Sequence, residues 1–215
     1  MRRKGAHILI STESFDSTSS IHLSPVSSPL PIPARTDLRE RLLAERMRFV
    51  ASAAAAPAEA DLARELRDVL ADLEPQCLGL YWPQRGEFNA PVALGEHSGL
   101  GNSLRALPFA RRAPPELHYR VWDGAAPTLV DECAIPTSAG APVVPDVVLV
   151  PCVGYTPTGY RLGYGGGYFD RWLASHPCVC AVGVAWSTSR LDDAELAPQP
   201  HDVPLALVVT EHGPV

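Results

Sequence analysis

The run Asp146-Val147-Val148-Leu149-Val150 is apolar and mostly β-branched after its acidic start. A strand without polar alternation is covered on both faces, so the chain is restricted to folds in which a sheet lies between two other layers. Pro151 ends the run and opens a loop. That loop carries Gly159-Tyr160-Arg161-Leu162-Gly163-Tyr164-Gly165-Gly166-Gly167 and leads into Tyr168-Phe169-Asp170-Arg171, the predicted opening of a helix.

Glycines admit positive φ and let a backbone approach a ligand closely, and consecutive exposed N–H groups form a concavity for anions. A polyphosphate suits such a concavity. Arg161 offers a bidentate donor at one end, the helix start near Tyr168 offers its positive end at the other, and Asp170 is placed to share a Mg2+ ion with phosphate oxygens. A tight structural turn is the competing reading of the same glycines. Two phosphate motifs do not apply. A P-loop requires a lysine, and Lys4 is the only one in the chain. The dinucleotide fingerprint requires a glycine where Tyr168 stands and an acid at the end of the next strand, which the sequence lacks.

The length of 215 residues suits one domain with a substantial core. A net charge of −6 argues against a broad cationic surface for nucleic acid or an anionic membrane, so an anionic ligand must be met locally. Lys4 apart, the 18 Lys and Arg residues are 17 arginines, which favours fixed guanidinium forks over lysine Schiff-base chemistry. Cys77, Cys133, Cys152, Cys178 and Cys180 contain no C-x-x-C pair and read as reduced thiols of a cytoplasmic protein without zinc. No apolar run reaches the roughly 18 residues expected of a membrane span. The expected partner is therefore a small molecule, with no nucleic acid, no membrane and a monomeric state.

Residues 1–34 are rich in Ser and Pro and read as a disordered or extended tail; a mitochondrial transit peptide is the rival reading, weakened by Glu13 and Asp16. From residue 35 onward a single domain is expected. Thr36 or Asp37 is the predicted cap of a helix with Leu38, Leu42, Leu43 and Met47 on its apolar face, and with Arg35, Arg39, Arg46 and Arg48 read by composition as solvated. A second helix starts at Pro57. Cys77 to Trp82 reads as a strand, residues 91–103 as a short or broken helix, Leu104 to Pro108 and His118 to Trp122 as further strands. After the glycine loop, Val179 to Ala185 and Leu205 to Thr210 complete the pattern. Strands alternating with helices imply an α/β fold, a three-layer sandwich with a mainly parallel central sheet.

The sequence Pro151-Cys152-Val153-Gly154-Tyr155 followed by Gly159 to Arg171 closely resembles the signature of the 5-formyltetrahydrofolate cyclo-ligases, also called 5,10-methenyltetrahydrofolate synthetases. Tyr81-Trp82-Pro83, Glu87, Leu107-Pro108, Tyr119-Arg120-Val121-Trp122, Pro200-His201-Asp202 and Val209-Thr210-Glu211 extend the resemblance in the same order. The resemblance implies ATP- and Mg2+-dependent ring closure of 5-formyltetrahydrofolate, a reduced folate. It implies that Arg35, Thr36, Asp37, Leu38 and Arg39, with Arg161, Leu162, Gly163, Tyr164, Gly165, Gly166, Gly167, Tyr168 and Phe169, hold the nucleotide. Arg161 and Asp170 would be catalytic, with Asp170 on the metal. Trp82 and Glu87 would meet the folate, with Trp122 and Tyr168 as further stacking candidates; without the resemblance, Trp82 reads as a core or interface aromatic and Glu87 as an exposed loop acid. Two departures stand out: Arg35 replaces the family's lysine, and Tyr155-Thr156 replaces Phe-Asp. They keep open a paralogue acting on a non-folate acceptor, beside a non-catalytic nucleotide- or folate-binding protein.

Overall fold

A computed structural model describes residues 34–95, 101 and 103–215, so the tail expected over residues 1–34 lies, Ala34 apart, outside the described residues. Helices α1 (Arg35–Val50) and α2 (Ala55–Leu73) precede β1 (Cys77–Gly79) and the short α3 (Ala90–Ala93). Next come β2 (Leu104–Arg112), β3 (Pro115–Trp122), β4 (Leu129–Val130), β5 (Pro136–Thr137) and β6 (Pro142–Val143). The C-terminal half comprises β7 (Val147–Pro151), β8 (Gly154–Tyr155), β9 (Arg161–Leu162), α4 (Tyr168–Ser175), β10 (Cys180–Val184), α5 (Asp193–Leu196), β11 (Leu207–Thr210) and β12 (Gly213–Pro214).

The main sheet has the order β12-β11-β10-β7-β1-β2-β3-β6. Its middle, β11-β10-β7-β1-β2, is parallel throughout, and β12, β3 and β6 join antiparallel. The mainly parallel α/β sheet expected from the sequence is therefore present. β7 shows why its sequence lacks alternation. Val147 and Leu149 pack with Leu62, Leu66 and Leu70 of α2, whereas Val148 and Val150 pack on the other face with Tyr119 and with Trp172 and Leu173 of α4. Helices cover both faces at this strand, so both faces must be apolar.

A third cluster ties α1 to the loop after β7, with Leu38 and Leu42 against Val153, Leu162, Leu191 and Leu196. The approach is close enough that a Cβ on Gly154 would stand 2.6 Å from Leu42 Cδ1. Glycine is required there by space rather than by backbone angle. Two local expectations for α1 need correction. The helix starts at Arg35 with Ala34 as its cap residue and no side-chain cap, while Asp37 lies in the first turn, where it suits the positive helix end. Further along, Met47 is 49% exposed and Arg46 only 3%, the reverse of the expected pattern. The short helix expected within residues 91–103 is present as α3, capped by Asn89, whose Oδ1 accepts the Val92 N–H; residues 96–100 and 102 lie outside the described ones.

Leu149 is fully buried at the centre of the sheet. Leu149→Ala is expected to lower unfolding stability by about 2–5 kcal/mol through lost burial and a residual cavity, read as a reduced urea midpoint at unchanged slope.

Candidate active site

In a parallel sheet, ligands bind beyond the carboxyl ends of the strands where the strand order reverses. Here that point lies between β1 and β7: the chain runs from β1 outward to β2 and β3, then returns to β7 and continues through β10 and β11 on the other side. A cavity of about 500 Å³ opens there. Its walls come from α1 (Arg35, Arg39), the segment after β1 (Tyr81, Trp82, Gln84, Arg85, Glu87), the loop Asp131 to Ile135, the glycine loop, Asp170 of α4, and His201 and Asp202.

The glycine loop begins as a small hairpin, with Gly154 paired to Leu162 and Tyr155 to Arg161. This places Arg161 at the hairpin's outgoing end. Gly165 at φ +95° and Gly167 at φ +63° turn the chain into α4, backbone conformations that a side-chain-bearing residue adopts only with strain. The Arg161 side chain is 4% exposed and forms a fork with Asp170, at 2.8 Å to Oδ1 and 3.2 Å to Oδ2. The Val203 N–H also reaches Asp170 Oδ1, at 3.3 Å. Most of the acceptor capacity of Asp170 is thus engaged by the protein.

Arg35 and Arg39 are four residues apart on α1 and share the face turned to the cavity. Arg39 Nε donates to the Gly163 carbonyl at 2.7 Å, with its guanidinium beside Gly165. Burial lowers the Arg39 pKa first, and neighbouring Arg35 lowers it further. Arg35 forks onto Asp202 and also donates to the Ala197 carbonyl. Burial alone would lift the Asp202 carboxyl, but hydrogen bonds from Arg35 and the Gln199 N–H hold it below the usual carboxylate range.

Across the cavity, Glu87 is held by three groups. Its Oε1 accepts from the Tyr164 hydroxyl at 2.7 Å, its Oε2 accepts from the Gln84 N–H at 2.8 Å, and Arg46 Nη1 stands 3.9 Å from Oε1. Burial raises its pKa, against the pull of these partners. Trp82 forms the neighbouring wall, and Tyr168 closes the far side with its hydroxyl 3.4 Å from Cys133 Sγ.

The structure therefore gathers Arg35, Arg39, Arg161, Gly163 to Asp170, Trp82 and Glu87 around one space. Several residues anticipated for the site do not line it. Thr36 and Asp37 are exposed on other faces of α1, and Leu38 and Leu162 are buried in the cluster beneath, because helical and strand periodicity allow only some of a contiguous segment to face one side. Trp122 is buried behind Trp82, edge-on at 6.2 Å, and its Nε1 donates to the Ala125 carbonyl. It buttresses the aromatic wall. Thr156, standing where an acid was expected, is fully buried in the hairpin turn and contacts Thr158, so its substitution removes no group from the cavity wall.

Three participants were not assigned to the site from the sequence. Arg46 lies behind the wall. Asp202 pairs with Arg35. Asp131 shapes the loop that carries Cys133 by accepting the N–H groups of Cys133, Ile135 and Ala110. The acid after His201 was the one available signal. Among the described residues no group of three or more His, Cys, Asp or Glu side chains is arranged to hold a metal ion. No helix among them is long and apolar enough to cross a membrane.

Residues 132–211, from the Cys133 loop through the glycine loop to β11, match the model of the 5-formyltetrahydrofolate cyclo-ligase family. That match covers 80 of the chain's 215 residues. A 5-formyltetrahydrofolate cyclo-ligase of Mycoplasma pneumoniae is 36% identical over 70 residues, 31% of this chain, and the match spans 39% of that curated relative's length. The solved 5,10-methenyltetrahydrofolate synthetase of the same organism superposes with a TM-score of 0.65 at 21% identity, over 83% of this chain and 99% of the other. The synthetase of Aquifex aeolicus gives 0.64 at 26% identity, over 84% and 91%. The cyclo-ligase match thus falls on the glycine loop and its supports, and the structural likeness extends over most of the fold.

The fork between Asp170 and Arg161 makes a measurable claim about stability. Asp170→Asn leaves a buried guanidinium without its counter-charge, and the expected loss is about 3 kcal/mol, toward the low end for a buried pair because Asp170 keeps some contact with water. An acid serving only the helix dipole would cost roughly 0.3–1 kcal/mol on removal. Chemical denaturation of both forms separates the two.

Proposed function

We propose that the protein converts 5-formyltetrahydrofolate and ATP to 5,10-methenyltetrahydrofolate, ADP and phosphate, as a cytoplasmic monomer. The observation that carries this reading is the pairing of two unlike walls in one cavity. One wall is glycine backbone with Arg35, Arg39 and Arg161; the other is Trp82 with the buried carboxylate of Glu87.

The first wall suits a triphosphate. Phosphoryl transfer asks a protein for positioning and for positive charge where negative charge accumulates, and it needs no covalent nucleophile. Arg161 lies deepest, held by Asp170 so that its remaining donor edge is fixed in direction. The N–H groups opening α4 add the positive helix end. The second wall suits a pterin. Each Glu87 oxygen has one protein donor and retains acceptor capacity toward the cavity, where the amino and ring N–H groups of a pterin would bind, with the ring against Trp82.

The chemistry joins the two. An amide-like formyl oxygen is a poor leaving group. Its attack on the γ-phosphorus forms an O–P bond, breaks the bond to ADP and converts that oxygen into phosphate. The lone pair of N10 then adds to the formyl carbon, the N10 proton is lost, and phosphate departs with the former formyl oxygen. The residues contribute by holding the two reactants in line and by excluding water from the partly buried cavity.

Mg2+ binds through one or two carboxylates together with substrate phosphates, and the donor set present suits that mode. Asp170 and Asp202 both line the cavity, and each holds an arginine that a polyphosphate would also attract. These carboxylates would hold the ion through the acceptor capacity that their protein donors leave free, and the bound ion would neutralise charge on the transferred group.

Incubation with ATP, Mg2+ and 5-formyltetrahydrofolate is expected to generate the methenyl chromophore; folded enzyme yielding none would overturn the assignment. The pH dependence carries a sign as well. Pterin donors need ionised Glu87, whose pKa is raised by burial, so kcat/KM for the folate should fall as pH drops through that raised value. The fall should begin at higher pH than for an ordinary glutamate near 4.3 and be absent in a less active Glu87→Gln form.

A further inference from the structure

Tyr164 stands between Gly163 and Gly165 in the loop assigned to phosphate, yet its hydroxyl bonds nothing in that loop. It donates to Glu87 Oε1 at 2.7 Å and accepts from Arg46 Nη1 at 3.1 Å, so both its hydrogen-bonding roles are used on the opposite wall and on α1. Arg46 is anchored in turn by the carbonyl of Cys152, the residue that follows β7. The order of contacts runs from the end of β7 through Arg46 and Tyr164 to Glu87. From outside, Arg85 lies 5.8 Å from the centre of the Tyr164 ring, on a backbone with φ +47°.

Two glycines flank Tyr164, so the backbone alone specifies its position weakly. Its hydroxyl contacts specify it instead. A polyphosphate that shifts the glycine loop therefore also shifts the donor to Glu87, and a ligand that draws on Glu87 pulls on the loop in return. Two ligands that favour the same placement of one shared group bind cooperatively even when they do not touch. The groups facing Glu87 are Arg46 from α1, Tyr164 from the glycine loop, Tyr81 from the segment after β1, and more remotely Cys152. Among these, Tyr164 is the one that donates a side-chain hydrogen bond to it.

We infer that Tyr164 is a positioning residue that couples the nucleotide half of the site to the folate half, each ligand strengthening the binding of the other through the Tyr164–Glu87 hydrogen bond. This rests on the reading of the cavity as an ATP and reduced-folate site. It also explains a sequence feature that phosphate binding leaves idle, a tyrosine within an otherwise side-chain-poor turn.

Calorimetry of 5-formyltetrahydrofolate binding, with and without a non-hydrolysable ATP analogue and Mg2+, tests the coupling in the wild type and in Tyr164→Phe. Tyr164 is 42% exposed and phenylalanine preserves its ring, so the variant should remain folded, melting below the wild type because Arg46 and Glu87 lose the hydroxyl between them. In the wild type the analogue should tighten folate binding by about ten-fold, within the usual range of coupling between sites. In Tyr164→Phe that ratio should fall to near one, whatever the separate affinities become. An unchanged ratio in the variant, or a ratio near one in a wild type that binds both ligands, overturns the coupling and leaves the function standing. A wild type that binds the analogue but no folate overturns both.

Discussion

Two guanidinium groups, those of Arg46 and Arg161, are carried into the wall behind the glycine loop with side chains only 2% and 4% exposed. Removing such an ion from water costs several kcal/mol unless matched acceptors surround it. Arg161 has the Asp170 fork. Arg46 has the Cys152 carbonyl, the Tyr164 hydroxyl and Glu87. None of these partners can move far without stranding a charge, so α1, the end of β7, the β8–β9 hairpin, the glycine loop and α4 are fixed relative to one another. Backbone that is locally permissive because of its glycines becomes definite through the arginines around it.

That constraint also accounts for the division between what the sequence discloses and what it conceals. The central sheet is legible because Val147 to Val150 is a local signal, four contiguous residues whose two faces are both apolar for a reason visible in the packing. The glycine loop and α4 are legible for the same reason. Arg46 is not. Helical patterning assigns Met47 to the core and Arg46 to water, and the reverse occurs because the partners of Arg46 lie 106 and 118 residues away, at Cys152 and Tyr164. No window along α1 contains them. Asp202 is legible as part of Pro200-His201-Asp202, but its partner is not, since Arg35 lies 167 residues away.

The errors of contiguity have a common cause. A motif read along the chain assigns neighbouring residues to one site, whereas a helix sends Arg35 and Arg39 to the cavity and Leu38 to the core. β3 does the same to Trp122, whose ring faces the core and supports Trp82 from behind. Thr156 illustrates the converse. It departs from the family pattern in sequence, but it sits in a buried turn and does not line the cavity.

Both walls of the cavity are fixed by the same buried charges, and we propose that this arrangement serves one chemical event: transfer of a phosphoryl group onto the formyl oxygen of a folate lying against Trp82 and Glu87. The fate of that oxygen tests it most directly. With substrate labelled by 18O in the formyl group, the phosphate released during single-turnover conversion should carry the label, one atom per methenyl product. Label recovered in water instead, with unlabelled phosphate, would contradict the account.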